Sequence, residues 1–180
     1  MKRQQKQQLV DDLKKKMVFI TGPRQVGKTW LAKEIARLYP KSVYLNYDST
    51  GDRRIIKDEA WLEDTTLLVL DELHKMKGWK NYLKGVYDTK PEGMMILVTG
   101  SARLEAFRQQ GDSLAGRFFR HRLLPFSPAE AAHVNEQVDP KFFLSRGGFP
   151  EPFLAKSNTD ADRWRMQYVD GLIRTDIFDF

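Results

Sequence analysis

A chain of 180 residues, 41% hydrophobic and 30% charged, has the balance of a globular protein with one domain-sized core and no room for two large ones. No apolar run approaches the roughly 18 residues of a membrane span, and the basic, glutamine-rich opening MKRQQKQQL lacks the apolar segment of a secretory leader. The absence of cysteine excludes disulfides and thiolate metal sites, so a cytoplasmic protein with no membrane partner is expected. The net charge of +6 is unevenly spread. Residues 1–16 carry six Lys/Arg against two Asp, and residues 101–122 carry five Arg against one Glu and one Asp. Such clusters suit phosphate or nucleic acid, although a solvated basic helix face is the simpler account of the first.

In chain order, residues 3–16 read as a lead-in helix with Leu9, Val10 and Leu13 on one side. The apolar run Met17 to Ile20 then enters Thr21, Gly22, Pro23, Arg24, Gln25, Val26, Gly27, Lys28 and Thr29, and Leu31, Ala32, Ile35 and Leu38 follow at helical spacing up to Pro40. Strand, loop and helix in that order are the context demanded by the P-loop spelling GxxxxGK[ST]. Ser42 to Asn46 is a second strand, and Asp52 to Asp64 is most simply a helix. Thr65 to Leu70 is an apolar strand of the doubly buried kind, ending in Asp71 and Glu72. Trp79 to Tyr87 places Trp79, Tyr82, Leu83 and Val86 on a helix face, and Met94 to Val98 is a fourth buried strand leading into Thr99, Gly100 and Ser101. Arg120 to Leu124 alternates as a fifth strand, Ser127 and Glu130 form a capping box, and helices surround Gly147 to Pro150.

Strands alternating with helices at this rhythm predict an α/β fold, a P-loop NTPase built as a three-layer αβα sandwich with a mainly parallel five-stranded sheet and a C-terminal helical extension. The expected organisation is a basic N-terminal helix over 1–16, a P-loop core over 17–135, and a helical extension over 136–180. Ligands of such sheets bind at the carboxyl ends of the strands, where Gly22 to Thr29, Asp71, Glu72 and Ser101 all fall.

The chemistry assigned to these residues follows from their types. Gly22 and Gly27 allow a tight turn over Gly22, Pro23, Arg24, Gln25, Val26, Gly27, Lys28 and Thr29, whose successive N–H groups face one anion site at the start of a helix. Lys28 is the candidate for the β- and γ-phosphates, and Thr29 with Asp71 the candidate Mg²⁺ pair. Glu72 would orient the attacking water. Ser101 would touch the γ-phosphate or that water, or simply cap the following helix. Arg117 would add charge to the transition state from its own chain or from a neighbouring subunit, or be an ordinary solvated arginine. His74, His121 and His133 show no metal spacing, Trp30 and Trp164 read as core or interface, and no Asn-Lys-x-Asp guanine motif is present, which favours ATP.

Gly22 to Thr29, Leu70-Asp71-Glu72-Leu73-His74, Gly100-Ser101-Ala102-Arg103-Leu104, Ser113-Leu114-Ala115-Gly116-Arg117, Pro125-Phe126-Ser127 and Gly147-Gly148-Phe149-Pro150-Glu151 together resemble the bacterial and archaeal AAA-type ATPases whose nucleotide domain precedes a C-terminal domain of unknown function. The likeness covers nearly the whole chain. It implies a core in which the strand before Ser101 lies between the P-loop strand and the Asp71 strand, and an ATP-driven molecular switch or DNA-associated ATPase. Two departures are evident: Trp30 stands where a small polar residue is usual, and the sequence ends at Phe180, where the family continues into a second domain.

The expected function is therefore Mg²⁺-dependent ATP binding and hydrolysis, with ATP and ADP as ligands, DNA as a candidate partner, and a homo-oligomer or a C-terminal domain as the candidate assembly. The alternatives are a nucleic-acid translocase, because Asp71-Glu72-Leu73-His74 also spells a helicase-type box, a small-molecule kinase with residues 103–122 as lid, and a nucleotide-binding interaction module without turnover.

Overall fold

The computed structural model describes residues 3–100, 114–134 and 139–174; Ser101 lies outside them. The strands are β1 (Met17–Thr21), β2 (Ser42–Asn46), β3 (Leu67–Asp71), β4 (Met95–Thr99) and β5 (Phe118–Arg122). They form one sheet in the order β2-β3-β4-β1-β5, with every neighbouring pair parallel. The strand before Ser101 thus lies between the P-loop strand and the Asp71 strand, as the resemblance implies. The sheet expected to be mainly parallel is wholly so. Parallel neighbours cannot be joined by tight turns, so the chain between them must cross a face of the sheet; between β1 and β2, β2 and β3, and β3 and β4 it does so with a helix.

Alternation along the strands sorts the core into two layers. Met17, Phe19, Leu45, Leu68, Leu70, Ile96 and Val98 pack on one face with Ile56 of α3 (Thr50–Asp58) and with Trp79, Leu83 and Val86 of α4 (Trp79–Thr89). The opposite face buries Val18, Ile20, Leu67, Val69 and Leu97. There α2 (Lys28–Ala36) contributes buried Leu31, Ala32 and Ile35, and α1 (Lys6–Leu13) contributes Leu9 and Leu13. All five residues of β1 and of β3 are buried. Each such aliphatic side chain is worth roughly 2 kcal/mol by burial against about 1 kcal/mol for a helix cap, so strand burial outweighs capping in holding this sheet.

Several element bounds differ from expectation. The α3 helix begins at Thr50, because the Ser49 side chain accepts from the Asp52 N–H, and it stops at Glu59, whose φ is 52°. β5 occupies Phe118–Arg122 rather than 120–124, since Phe118 pairs with Met17 and the Phe118 ring stacks on Phe19 at 4.5 Å. Alternation within β5 could not reveal a register set by β1. Trp30 does not disturb the start of α2: the Leu31 N–H reaches the Gly27 carbonyl at 2.9 Å in a regular first turn.

The chain divides into two compact units, with the break between Leu123 and Leu124. The first, from Arg3 to Leu123, contains the N-terminal helix and the sheet. The second begins at Leu124 and includes the capping-box helix α5 (Pro128–Val134). Its other helices are α6 (Pro140–Arg146), α7 (Pro150–Leu154) and α8 (Asn158–Leu172). The capping box is formed: Ser127 Oγ accepts from the Glu130 N–H and Glu130 Oε2 from the Ser127 N–H, each at 3.1 Å. Buried Arg146 donates to the carbonyls of Pro152, Ala155 and Ser157, tying α6 to the chain around α7. Trp164 is 8% exposed and stacks on Tyr168 at 4.8 Å, a core position in this unit.

Among the described residues no helix is long and apolar enough to cross a membrane.

Candidate active site

The turn between β1 and α2 is built at the edge where the strands end. Gly22 has φ +142°, and a Cβ placed on it would stand 2.2 Å from the Leu123 carbonyl oxygen, so any side chain there collides with the backbone leaving β5. Gln25 and Gly27 also take positive φ, 60° and 95°. Val26 is fully buried and anchors the turn, while Arg24 and Gln25 are exposed. Gly27 is the N-cap of α2 and offers no side-chain cap, leaving the first-turn N–H groups of this helix to an anion.

Lys28 is only 7% exposed, and its ammonium donates to the carbonyls of Gly22 at 2.9 Å and Pro23 at 2.6 Å. Burial lowers its pKa, opposed by the negative charges of Glu72 and Asp71. A cation held inside the turn by two neutral carbonyls can exchange them for phosphate oxygens, which are stronger acceptors.

Asp71 is the buried end of β3, 1% exposed. Register explains its company. Asp71 pairs directly with Thr99 of β4, and both side chains point to the α2 face with Leu67 and Val69. Tyr44 of β2 pairs with Val69, one diagonal step from Asp71. The Thr99 hydroxyl donates to Asp71 Oδ1. The Thr29 hydroxyl donates to Oδ2 at 2.7 Å, and the Tyr44 hydroxyl also donates to Oδ2. Thr29 is exposed whereas Asp71 is not, so the pair opens to solvent on the threonine side.

Glu72 follows in the left-handed region, φ 56°, with its N–H bonded to the Thr99 carbonyl at 3.1 Å. A non-glycine residue held there stores strain of about 1 kcal/mol. Glu72 Oε2 lies 3.6 Å from both His74 Nε2 and Lys75 Nζ, and Lys75 also meets Asp48 at 2.5 Å. Burial lowers the His74 pKa, and the Glu72 charge pulls the other way.

Arg117 is elsewhere. It precedes β5 at the amino edge of the sheet, where its carbonyl accepts from the Met17 N–H and its guanidinium grips Asp88 at 2.9 and 3.2 Å. A strand of this length separates the two edges by about 15 Å. The option of Arg117 serving the loop within its own chain is set aside on that geometry.

Gly22 to Thr29, Lys28, Asp71 and Glu72 are therefore gathered at one edge, Arg117 is at the other, and Ser101 lies outside the described residues. The residues present fit a magnesium nucleotide: a hydroxyl beside a carboxylate, an amide-lined turn and one buried lysine are the donor set of an ion that takes few protein ligands and relies on phosphate oxygens. Among the described residues no group of three or more His, Cys, Asp or Glu could hold a metal ion. Thr99 and Tyr44 as partners of Asp71 were not foreseen, since only strand register brings them there.

Comparison with solved structures supports the fold. DnaA from Aquifex aeolicus, bound to AMPPCP, superposes with a TM-score of 0.58 at 14% identity over 97% of this chain and 63% of its own. The Walker-type ATPase paby2304 of Pyrococcus abyssi gives 0.62 at 14% identity over 98% and 74%. Two proteins named as uncharacterized, Rv2008c of Mycobacterium tuberculosis and Mb2031c of Mycobacterium bovis, are each 27% identical over 162 residues, covering 89% of this chain. The chain spans 36% of the length of these relatives. A family model described as AAA domain matches residues 14–132, from just after α1 through β5 and into α5, and by that match the chain belongs to the AAA-type P-loop ATPase family.

Proposed function

We propose that this protein binds ATP with Mg²⁺ at the β1–α2 turn and hydrolyses it to ADP and phosphate, using the cycle as a molecular switch. The observation that carries the reading is the Thr29–Asp71 contact of 2.7 Å directly beyond the turn that holds Lys28. Bound magnesium would neutralise charge developing on the β- and γ-phosphate oxygens. Lys28 would leave the Gly22 and Pro23 carbonyls for those oxygens, while the amides from Gly22 to Thr29 hold the phosphate chain in line. Glu72 would orient a water whose oxygen forms the new bond to the γ-phosphorus. As the bond to the bridging oxygen breaks, the water proton passes to the Glu72 carboxylate and then to the departing phosphate.

Glu72→Gln is expected to retain ATP affinity while single-turnover hydrolysis falls by on the order of 100-fold, the usual worth of a positioned base. Equal loss of binding and hydrolysis would contradict the role given to Glu72. Equal and undetectable hydrolysis by both proteins, with binding intact, would favour the interaction module without turnover. Adding duplex DNA to the same assay tests the DNA-associated reading motivated by the basic residues of 1–16 and 101–122: stimulated turnover would support it, and unchanged turnover would remove it.

A further inference from the structure

We propose that Tyr44 is a positioning residue for the metal half of this site, its hydroxyl fixing the Asp71 carboxylate in the orientation that receives a divalent cation. The proposal rests on the reading of Thr29 and Asp71 as the Mg²⁺ pair. Its basis is the distribution of donors around Asp71. Thr99 occupies Oδ1, and two hydroxyls, those of Thr29 and Tyr44, share Oδ2. Thr29 has the ion itself as its assigned ligand. Tyr44 has no ligand duty, so its bond can hold Oδ2 whether or not the cation is present.

Tyr44 is in turn held from behind. It projects from β2 on the α2 face, and the Lys33 ammonium lies 4.7 Å from its ring centroid. Lys33 is one helical turn after Thr29, so α2 presents both residues on one side, Thr29 to the carboxylate and Lys33 to the tyrosine that contacts the same carboxylate. A phenylalanine would fill the same space and keep that ring contact; what the hydroxyl adds is a directed bond to one oxygen of Asp71. Outer-layer donors of this kind fix the rotamer of a ligating carboxylate, and their loss typically costs 10–100-fold in metal affinity.

The test is binding of a fluorescent N-methylanthraniloyl ATP to wild-type protein and Tyr44→Phe, first in EDTA and then across a MgCl₂ titration. The expected result is an Mg²⁺ half-saturation raised about 10-fold in Tyr44→Phe, with affinity in EDTA unchanged within about twofold. Lys33→Ala, which frees the ring and keeps the hydroxyl, should raise it by about threefold and serves if Tyr44→Phe does not fold. A lowered melting temperature with unaltered Mg²⁺ half-saturation would make Tyr44 merely structural and overturn the proposal, as would an equal loss of affinity with and without Mg²⁺. Wild-type binding that is tight yet indifferent to Mg²⁺ would instead overturn the assignment of Thr29 and Asp71, and this inference with it.

Discussion

The two edges of the sheet treat charge in opposite ways. At the amino edge Arg117 and Asp88 neutralise one another in an ion pair, with side chains 30% and 42% exposed. Nearby, Lys15 pairs with Asp12 at 3.4 Å and Lys14 with Asp11 at 3.8 Å. At the carboxyl edge Asp71 is buried, and among the described residues its hydrogen-bond donors are three neutral hydroxyls. Surface pairs cancel charge at little gain in stability, whereas the hydroxyl donors around the buried Asp71 bring no charge of their own. The difference teaches where a cation is wanted: at the amino edge Arg117 and Asp88 meet as a charged pair, whereas Asp71 is met by hydroxyls that a ligand cation could join.

The backbone repeats the contrast, and glycine substitutions expose it most strongly. Gly22→Ala drives a methyl into the Leu123 carbonyl at 2.2 Å, so either β5 or the loop must move. A loss of more than about 2 kcal/mol in urea unfolding is expected. Gly116→Ala at the other edge has φ +76° but open space around the added carbon, and should cost about 1 kcal/mol through backbone strain alone. Comparable costs would mean that the tight packing of the turn against β5 does not matter.

An intermediate effect is expected from His74. Its folded pKa is lowered by burial, below the unfolded value of about 6.5. Between those two values the unfolded chain binds more protons than the folded one, so stability rises with pH there and is lost as pH falls from about 6.5 toward the folded pKa. The slope measured by urea unfolding between about pH 7.5 and pH 5.5 should be shallower in His74→Gln, and an unchanged slope would refute the assignment.

The smallest effect belongs to the amino edge. Arg117→Ala should leave ATP affinity unchanged and shift the melting temperature less than Gly22→Ala does, because the Asp88 pair is exposed. Lost affinity would break the comparison of the two edges. Lost turnover with intact affinity would instead identify Arg117 as a contribution to a neighbouring subunit.

What could be read from the sequence follows the same division. Gly22 to Thr29 and Asp71-Glu72 are contiguous spellings, so their residue types can be picked out without coordinates, although Leu123 and Thr99, far along the chain, help to fix their geometry. The strand order was legible only through the resemblance to a family. The Tyr44 and Thr99 hydroxyls around Asp71 depend on how β2 and β4 slide against β3, and a shift of one residue would turn each to the other face. Nothing within SVYLN or MILVT records that register. The place of Arg117 was hidden for a related reason: a motif sets a residue next to a strand, but only topology says at which end.

The most direct test of the account is a calorimetric titration of ATP into wild-type protein and Lys28→Ala, each in MgCl₂ and in EDTA. Saturable binding by the wild type that weakens in EDTA, and a loss of on the order of 100-fold when the buried lysine is removed, is the result the carboxyl-edge site predicts. Binding of equal strength by both proteins, or none by either, would contradict it.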